Sequence, residues 1–297
     1  MAYTENSTNE LLELMDLETL EMNLFRGESR DIGTPRVFGG QVLAQAIIAA
    51  SRTVDEGSIH SLHSYFLRTG DPEAPIVYDV DRSRDGRSFK ARRVVAIQHG
   101  RPIFTMAASF QLQQEGPEHQ FEMPDVPMPE DLSSENKFTE QELSQIPRLL
   151  RRWFARTGPF DFRRVQAANI FKPSPQPPFF DVWFRLRDKI EAPELMHCAL
   201  MAYASDFHLI GTAMRPHGIS FVQGNVVMAS LDHAMWFFRP ARVDEWLLYT
   251  CDSPSSGGGR GLARGLIYDR SGRLIASTAQ EGMIRVGEQP ANGAVNE

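Results

Sequence analysis

Two hydrophobic periods alternate along this chain, and the switch between them occurs twice. Gly39-Gly-Gln-Val-Leu-Ala-Gln-Ala-Ile-Ile-Ala-Ala50 and the run from Leu195 to about Ser205 are rich in Ala and straight-chain residues and apolar around most of a helical circumference. Such a pattern predicts helices enclosed on all sides by other structure. After each helix the pattern changes to long segments of β-branched and aromatic residues: Ile59 to Leu67, Ile76 to Ser83, Phe89 to Gln98 and Pro102 to Gln111, then Val226 to Phe238, Trp246 to Cys251, Gly261 to Tyr268 and Leu274 to Arg285. Gly-centred turns, Gln98-His-Gly-Arg101 and Arg270-Ser-Gly-Arg273, mark antiparallel hairpins. One helix followed by four or more antiparallel strands is satisfied by a curved sheet wrapped around that helix, an α+β layer arrangement.

The two halves also match residue by residue. With Gly86 set over Gly258, an offset of 172 residues, identities fall at Ala91/Ala263, Arg92/Arg264, Gly100/Gly272, Arg101/Arg273, Ile103/Ile275 and Ala107/Ala279. With one residue of slippage, Ser64-Tyr-Phe-Leu-Arg68 matches Met235-Trp-Phe-Phe-Arg239. The chain therefore reads as a duplicated unit. The expected division is an earlier unit over 1–113, a Pro- and Glu-rich connecting segment over 114–155 and a later unit over 156–297. Ser144 to Arg156 reads as a short basic helix, Pro173-Ser-Pro-Gln-Pro-Pro178 as an extended lead into a strand from Phe179 to Leu186, and the last ten or so residues as a frayed tail.

Composition narrows the function classes. The chain has 297 residues, 42% of them apolar, enough for a large core, and its net charge of −7 offers no basic face for nucleic acid. Its start, Met-Ala-Tyr-Thr-Glu-Asn-Ser-Thr-Asn-Glu, has neither the basic beginning nor the apolar core of a signal peptide. No run approaches the roughly 18 apolar residues of a membrane span. A cytoplasmic protein without membrane insertion is expected. Cys198 and Cys251 have no metal-ligand spacing and are expected to be reduced, buried thiols.

No Gly-x-Ser-x-Gly elbow, His-Glu-x-x-His helix, P-loop or dinucleotide fingerprint occurs, which disfavours serine-nucleophile, zinc and nucleotide mechanisms. What remains are polar residues in apolar settings of the later half: Asp206 after the second helix, Ser230, Asp232 and His233 in Ala229-Ser-Leu-Asp-His-Ala-Met-Trp-Phe, and Gln280. Gln280 falls opposite Ala108 of the earlier half, so one unit carries a polar group where the other carries none. Plain structural readings stand beside these: Asp206 as a cap for Phe207-His-Leu-Ile210, and Asp232-His233 as a hydrogen-bonded pair.

Phe38-Gly-Gly-Gln-Val, His63-Ser-Tyr-Phe-Leu-Arg68, Arg84-Asp-Gly-Arg-Ser-Phe89, Tyr203-Ala-Ser-Asp206, Asp232-His-Ala-Met-Trp236, Glu245-Trp-Leu-Leu-Tyr249 and Gln280-Glu-Gly282 together resemble the acyl-CoA thioesterase II (TesB-like) family, from about Leu24 to Arg285. The resemblance implies a double hotdog, two hotdog units in one chain, and a homodimer or homotetramer. It also implies a catalytic set of Asp206, Ser230 and Gln280, with Ser where several relatives have Thr. The last residues, Ala294-Val-Asn-Glu297, are not of the Ser-Lys-Leu type found in peroxisomal relatives.

The chemistry agrees with the resemblance. A thioester carbonyl is electrophilic and its thiolate leaves readily, so neither a metal, a cofactor nor a covalent nucleophile is expected; coenzyme A is part of substrate and product. Asp206 as general base, with the hydroxyl and the carboxamide orienting one water, would hydrolyse fatty acyl-CoA. Phe207, Leu209, Met235, Trp236 and Phe237 are the expected acyl contacts. Arg260 and Arg264, or Arg87, Lys90 and Arg92, are the expected partners of the CoA phosphates. Two other functions stay open at this point: a hotdog hydratase or dehydratase using Asp206/His208 or Asp232/His233, and an acyl-CoA sensor without catalysis.

Overall fold

In a computed structural model of the chain, residues 8–34, 36–134, 138–155, 158–166 and 169–287 are described. The expected frayed tail, from residue 288 onward, lies outside them. In chain order the elements are α1 (Thr8–Leu14), β1 (Glu18–Glu21), β2 (Leu24–Gly27), α2 (Gly39–Ser51), β3 (Ser58–Phe66), β4 (Ile76–Asp85), β5 (Phe89–Gln98) and β6 (Arg101–Gln111). There follow α3 (Glu140–Gln145), α4 (Arg148–Ala155), β7 (Phe160–Arg164), β8 (Phe179–Leu186), α5 (Glu194–Ser205) and α6 (Leu209–Thr212). The chain then completes β9 (Val226–Ser230), β10 (Asp232–Phe237), β11 (Leu247–Gly257), β12 (Arg260–Asp269) and β13 (Leu274–Val286).

The described strands form one antiparallel sheet in the order β1-β2-β4-β5-β6-β3-β10-β13-β12-β11-β8-β7, with β9 also on β13. Read outward from the β3·β10 seam, the two wings have the same plan: β3-β6-β5-β4-β2-β1 on one side and β10-β13-β12-β11-β8-β7 on the other. The internal repeat thus becomes a pseudo-twofold, and the fold is a double hotdog. Its helices α2 and α5 pack on each other inside the curl of the sheet, and eleven residues of α2 are buried. Gln45 survives there because every polar atom is met: Nε2 donates to the carbonyls of Leu14 at 2.7 Å and Glu28 at 3.0 Å, and Tyr78 Oη donates to Oε1 at 2.7 Å.

The connecting segment is strapped to the outer face of the later wing. Trp183 Nε1 donates to Pro127 O at 2.9 Å, Gln120 Nε2 to Gly272 O at 2.8 Å, and a second apolar cluster around Trp183, Trp246 and Tyr268 lies under Met123, Val126 and Leu132. The basic helix expected over 144–156 is α4, beginning only at Arg148; the acidic α3 ends at Gln145, because Pro147 has no N–H with which to continue it, and residue 156 lies outside the described residues. The strand expected from Val226 to Phe238 is likewise two. At Leu231 the chain passes from β13 to β3: its N–H donates to Glu281 O at 2.9 Å while its carbonyl accepts from Phe66 N, also at 2.9 Å. Asp232 Oδ1 then takes the Glu281 N–H at 2.7 Å, replacing a ladder bond. That break brings both Ser230 and His233 against β13.

Candidate active site

The site is assembled at the junction of α5, β9, β10 and β13, with α2 as its far wall. Asp206 is the residue that ends α5, with φ −81° and ψ −4°. Its side chain is 5% exposed. Alternation along β13 turns Thr278, Gln280 and Gly282 inward, and alternation along β10 does the same for His233, Met235 and Phe237. Gln280 Nε2 donates to Asp206 Oδ1 at 2.7 Å and to Ser230 Oγ at 3.2 Å, so the three residues named from sequence meet. The carboxamide oxygen of Gln280 is buried and has no hydrogen-bond partner among the described residues.

Opposing influences set the charge of Asp206. Burial raises its pKa from 3.8 to about 6, while hydrogen bonds from Gln280 and from the backbone N–H of Gly40 pull the other way. The carbonyl end of α5 is also an unfavourable place for an anion, whereas the N-terminal turn of α2, at Gly39 and Gly40, is a favourable one. His233 is wholly buried, and desolvation lowers its pKa to about 4. Its imidazole is therefore neutral at pH 7, and the 3.8 Å approach of Nδ1 to Asp206 Oδ1 is no ion pair there.

The plain structural readings of these residues do not hold. The residue capping α6 is His208, not Asp206, and no side chain caps that helix. Asp232 and His233 point to opposite sides of β10; Asp232 binds Glu281 N, and His233 reaches Ser205 and Gln280. Ser205, whose Oγ lies 3.1 Å from His233 Nε2, was not singled out from sequence, although a hydroxyl in so apolar a helix was the available signal.

The expected substrate contacts separate. Phe207 sits in an aromatic cluster, 4.6 Å from the Phe38 ring centre, 5.1 Å from Phe162 and 5.4 Å from Trp153. It lines a cavity of about 740 Å³ with Trp153, Phe154, Phe160, Phe162 and Tyr203. Met235 is completely buried in the core and presents no surface to a ligand. Trp236 lies on the outer face of β10, edge-on to His63 at 5.2 Å. Arg260 and Arg264 are also on the outer face, paired with Glu281 and Asp252 at 2.9 Å in each case. Arg92 is 2% exposed and fully engaged, with Thr53 Oγ1 at 2.8 Å, Thr53 O at 2.8 Å and Asp85 Oδ1 at 2.6 Å. Strand alternation, read from sequence without knowing which face is inward, could not make this distinction. Among the described residues no group of three or more His, Cys, Asp or Glu is arranged to hold a metal ion, and no helix is long and apolar enough to cross a membrane.

Family models described as the acyl-CoA thioesterase N-terminal domain and C-terminal domain match residues 26–111 and 125–284. "Acyl-CoA thioesterase 2" of Haemophilus influenzae is 43% identical over 281 residues, covering 94% of this chain and 98% of its own length. "Acyl-coenzyme A thioesterase 8" of Homo sapiens is 42% identical over 285 residues, 93% of this chain and 89% of that protein. The crystal structure of an acyl-CoA thioesterase II, TesB2, from Mycobacterium marinum superposes with a TM-score of 0.76 at 41% identity, covering 94% of this chain and 99% of that one.

Proposed function

The chain belongs to the acyl-CoA thioesterase family and is a thioester hydrolase, and we propose that Asp206, Ser230 and Gln280 perform its reaction on one water molecule. The observation that carries this reading is that Gln280 Nε2 donates to both Asp206 Oδ1 and Ser230 Oγ, so that one buried carboxamide joins the other two side chains. A carboxylate whose pKa has risen to about 6 is ionised at neutral pH yet basic enough to accept a proton. Ser230 Oγ and the unpartnered Oε1 of Gln280 are the groups that would hold the water.

In this scheme Asp206 takes a proton from the water as its oxygen bonds to the thioester carbonyl carbon. The carbonyl oxygen becomes an oxyanion, for which the N-terminal turn of α2, whose Gly40 N–H already meets Asp206, offers favourable backbone dipoles. When the oxyanion collapses, the C–S bond breaks and CoA leaves as a thiolate; the proton that Asp206 took from water passes to it, the carboxylate is restored and the free acid remains. The acyl arm, taken here to be a fatty chain, has the aromatic cavity beside Phe207 available to it. We place the protein in the cytoplasm as a homodimer or homotetramer, for which the strands β1, β7 and β9 each carry an unpaired edge among the described residues.

The test is thiol release from acyl-CoA substrates of graded chain length by wild type and Asp206→Asn. Turnover is expected to fall by about 10²-fold or more with binding retained. Unimpaired turnover in the variant would remove the carboxylate from the mechanism.

A further inference from the structure

We propose that His233 is a positioning residue for this reaction: its imidazole dictates which way the Gln280 carboxamide faces and so keeps the amide donor on Asp206. The inference rests on the hydrolytic reading above.

A glutamine side chain is nearly symmetric in shape, so its orientation is decided by what its two ends meet. Ser230 cannot decide it, because a hydroxyl both donates and accepts. Two groups do. One is Asp206 Oδ1, at 2.7 Å from Gln280 Nε2, and the other is His233 Nδ1, at 3.2 Å.

The state of that ring nitrogen follows from its far side. Ser205 Oγ donates to Ala202 O at 2.8 Å, so its lone pairs face His233 Nε2 at 3.1 Å. Nε2 therefore carries the proton, and Nδ1 is a bare acceptor aimed at the amide. The ring is also held by its backbone: His233 pairs with Ser64 across the β3·β10 seam, and Ser64 Oγ donates to His233 O at 2.7 Å. Burial that keeps the imidazole neutral preserves the arrangement at physiological pH.

Turnover is where the second acceptor matters. While Asp206 is an anion, it alone repels the carboxamide oxygen. Once Asp206 has taken the proton from water it can donate as well as accept, and it no longer selects an orientation. His233 Nδ1 still does. Without it the amide is free to turn while Asp206 is protonated, and Gln280 then presents the wrong atom to the acid and to the reacting oxygen until the carboxylate is restored.

The experiment measures kcat and KM for a saturated acyl-CoA with His233→Leu, His233→Asn and Ser205→Ala, each also combined with Gln280→Ala. His233→Leu, which removes the acceptor, is expected to lower kcat by about 10- to 100-fold with KM within about twofold. His233→Asn places an amide oxygen near the Nδ1 position and recovers most of that loss. Ser205→Ala, which frees the ring tautomer, lowers kcat by a smaller factor. On the Gln280→Ala background none of these changes lowers kcat further, because the residue they act through is gone. Unchanged kcat in both His233→Leu and Ser205→Ala overturns the proposal, as does an undiminished loss on the Gln280→Ala background. If His233→Leu does not fold, Ser205→Ala decides alone: unchanged kcat in it, or an undiminished loss on the Gln280→Ala background, overturns the proposal. Activity in Gln280→Ala equal to wild type would instead overturn the hydrolytic reading itself.

Discussion

Asp206 Oδ2 stands where a side chain on Gly39 would begin: a Cβ at Gly39 would come within 2.7 Å of it and within 3.0 Å of the Phe66 ring. Gly39 is the first residue of α2 and its backbone is not in the left-handed region, so closeness, not conformational freedom, is what demands glycine here. Gly39→Ala must push the carboxylate off Gln280 or shift α2. Its expected effect is a loss of kcat of about 10-fold or more with little change in unfolding midpoint, checked by steady-state kinetics beside a urea titration.

The pH profile follows from the same carboxylate. With its pKa near 6, the base form is lost as pH falls through that value. kcat/KM is expected to fall about tenfold per unit below pH 6 and to level off above it. A profile flat down to pH 4 would mean that no group of this pKa is needed in its ionised form.

Stability runs the opposite way. Asp206 ionises above 3.8 when unfolded but only above about 6 when folded, so the native state binds the extra proton between these values. Its contribution is fully present below pH 3.8 and is lost as pH rises through 6. Asp206→Asn carries no such charge and is expected to be more stable than wild type by roughly 1–3 kcal/mol at pH 8, with the difference shrinking towards pH 4. Urea unfolding at the two pH values measures it.

The paired repeat residues Arg92 and Arg264 provide a contrast in stability. The Arg92 side chain is 1% exposed, and its loss would leave Thr53 O and neighbouring carbonyls without donors; the Arg264 side chain is 58% exposed. Arg92→Ala is expected to cost about 2–4 kcal/mol. Arg264→Ala is expected to cost about 1 kcal/mol or less. Equal urea midpoints for the two variants would contradict this assignment.

How much was legible depended on whether the signal was local. The span Phe89–Gln98 and the buried helices at Gly39 and Leu195 follow from periodicity, and the Gln98–Arg101 turn from its glycine; it closes with φ of 49° at His99 and 70° at Gly100. The strand Phe160–Arg164 was not anticipated, because five residues ending in two arginines carry too little alternation to be noticed. The meeting of Asp206, Ser230 and Gln280 was legible only through family resemblance, since residues up to 74 apart have no shared periodicity. Ser205 was passed over for a different reason: its hydroxyl stands out in an apolar helix, but the ring that gives it meaning is 28 residues away.

The earlier half contributes no acid to the proposed set, yet it forms part of the enclosure. Gly40 offers its N–H to Asp206, Gly39 leaves room for the carboxylate, and Ser64 pins the strand that bears His233. Neither half can therefore be excised as a minimal enzyme. Covalent fusion supplies scaffold and reactive side chains in a one-to-one ratio at any dilution, which two separately made polypeptides would achieve only by mass action.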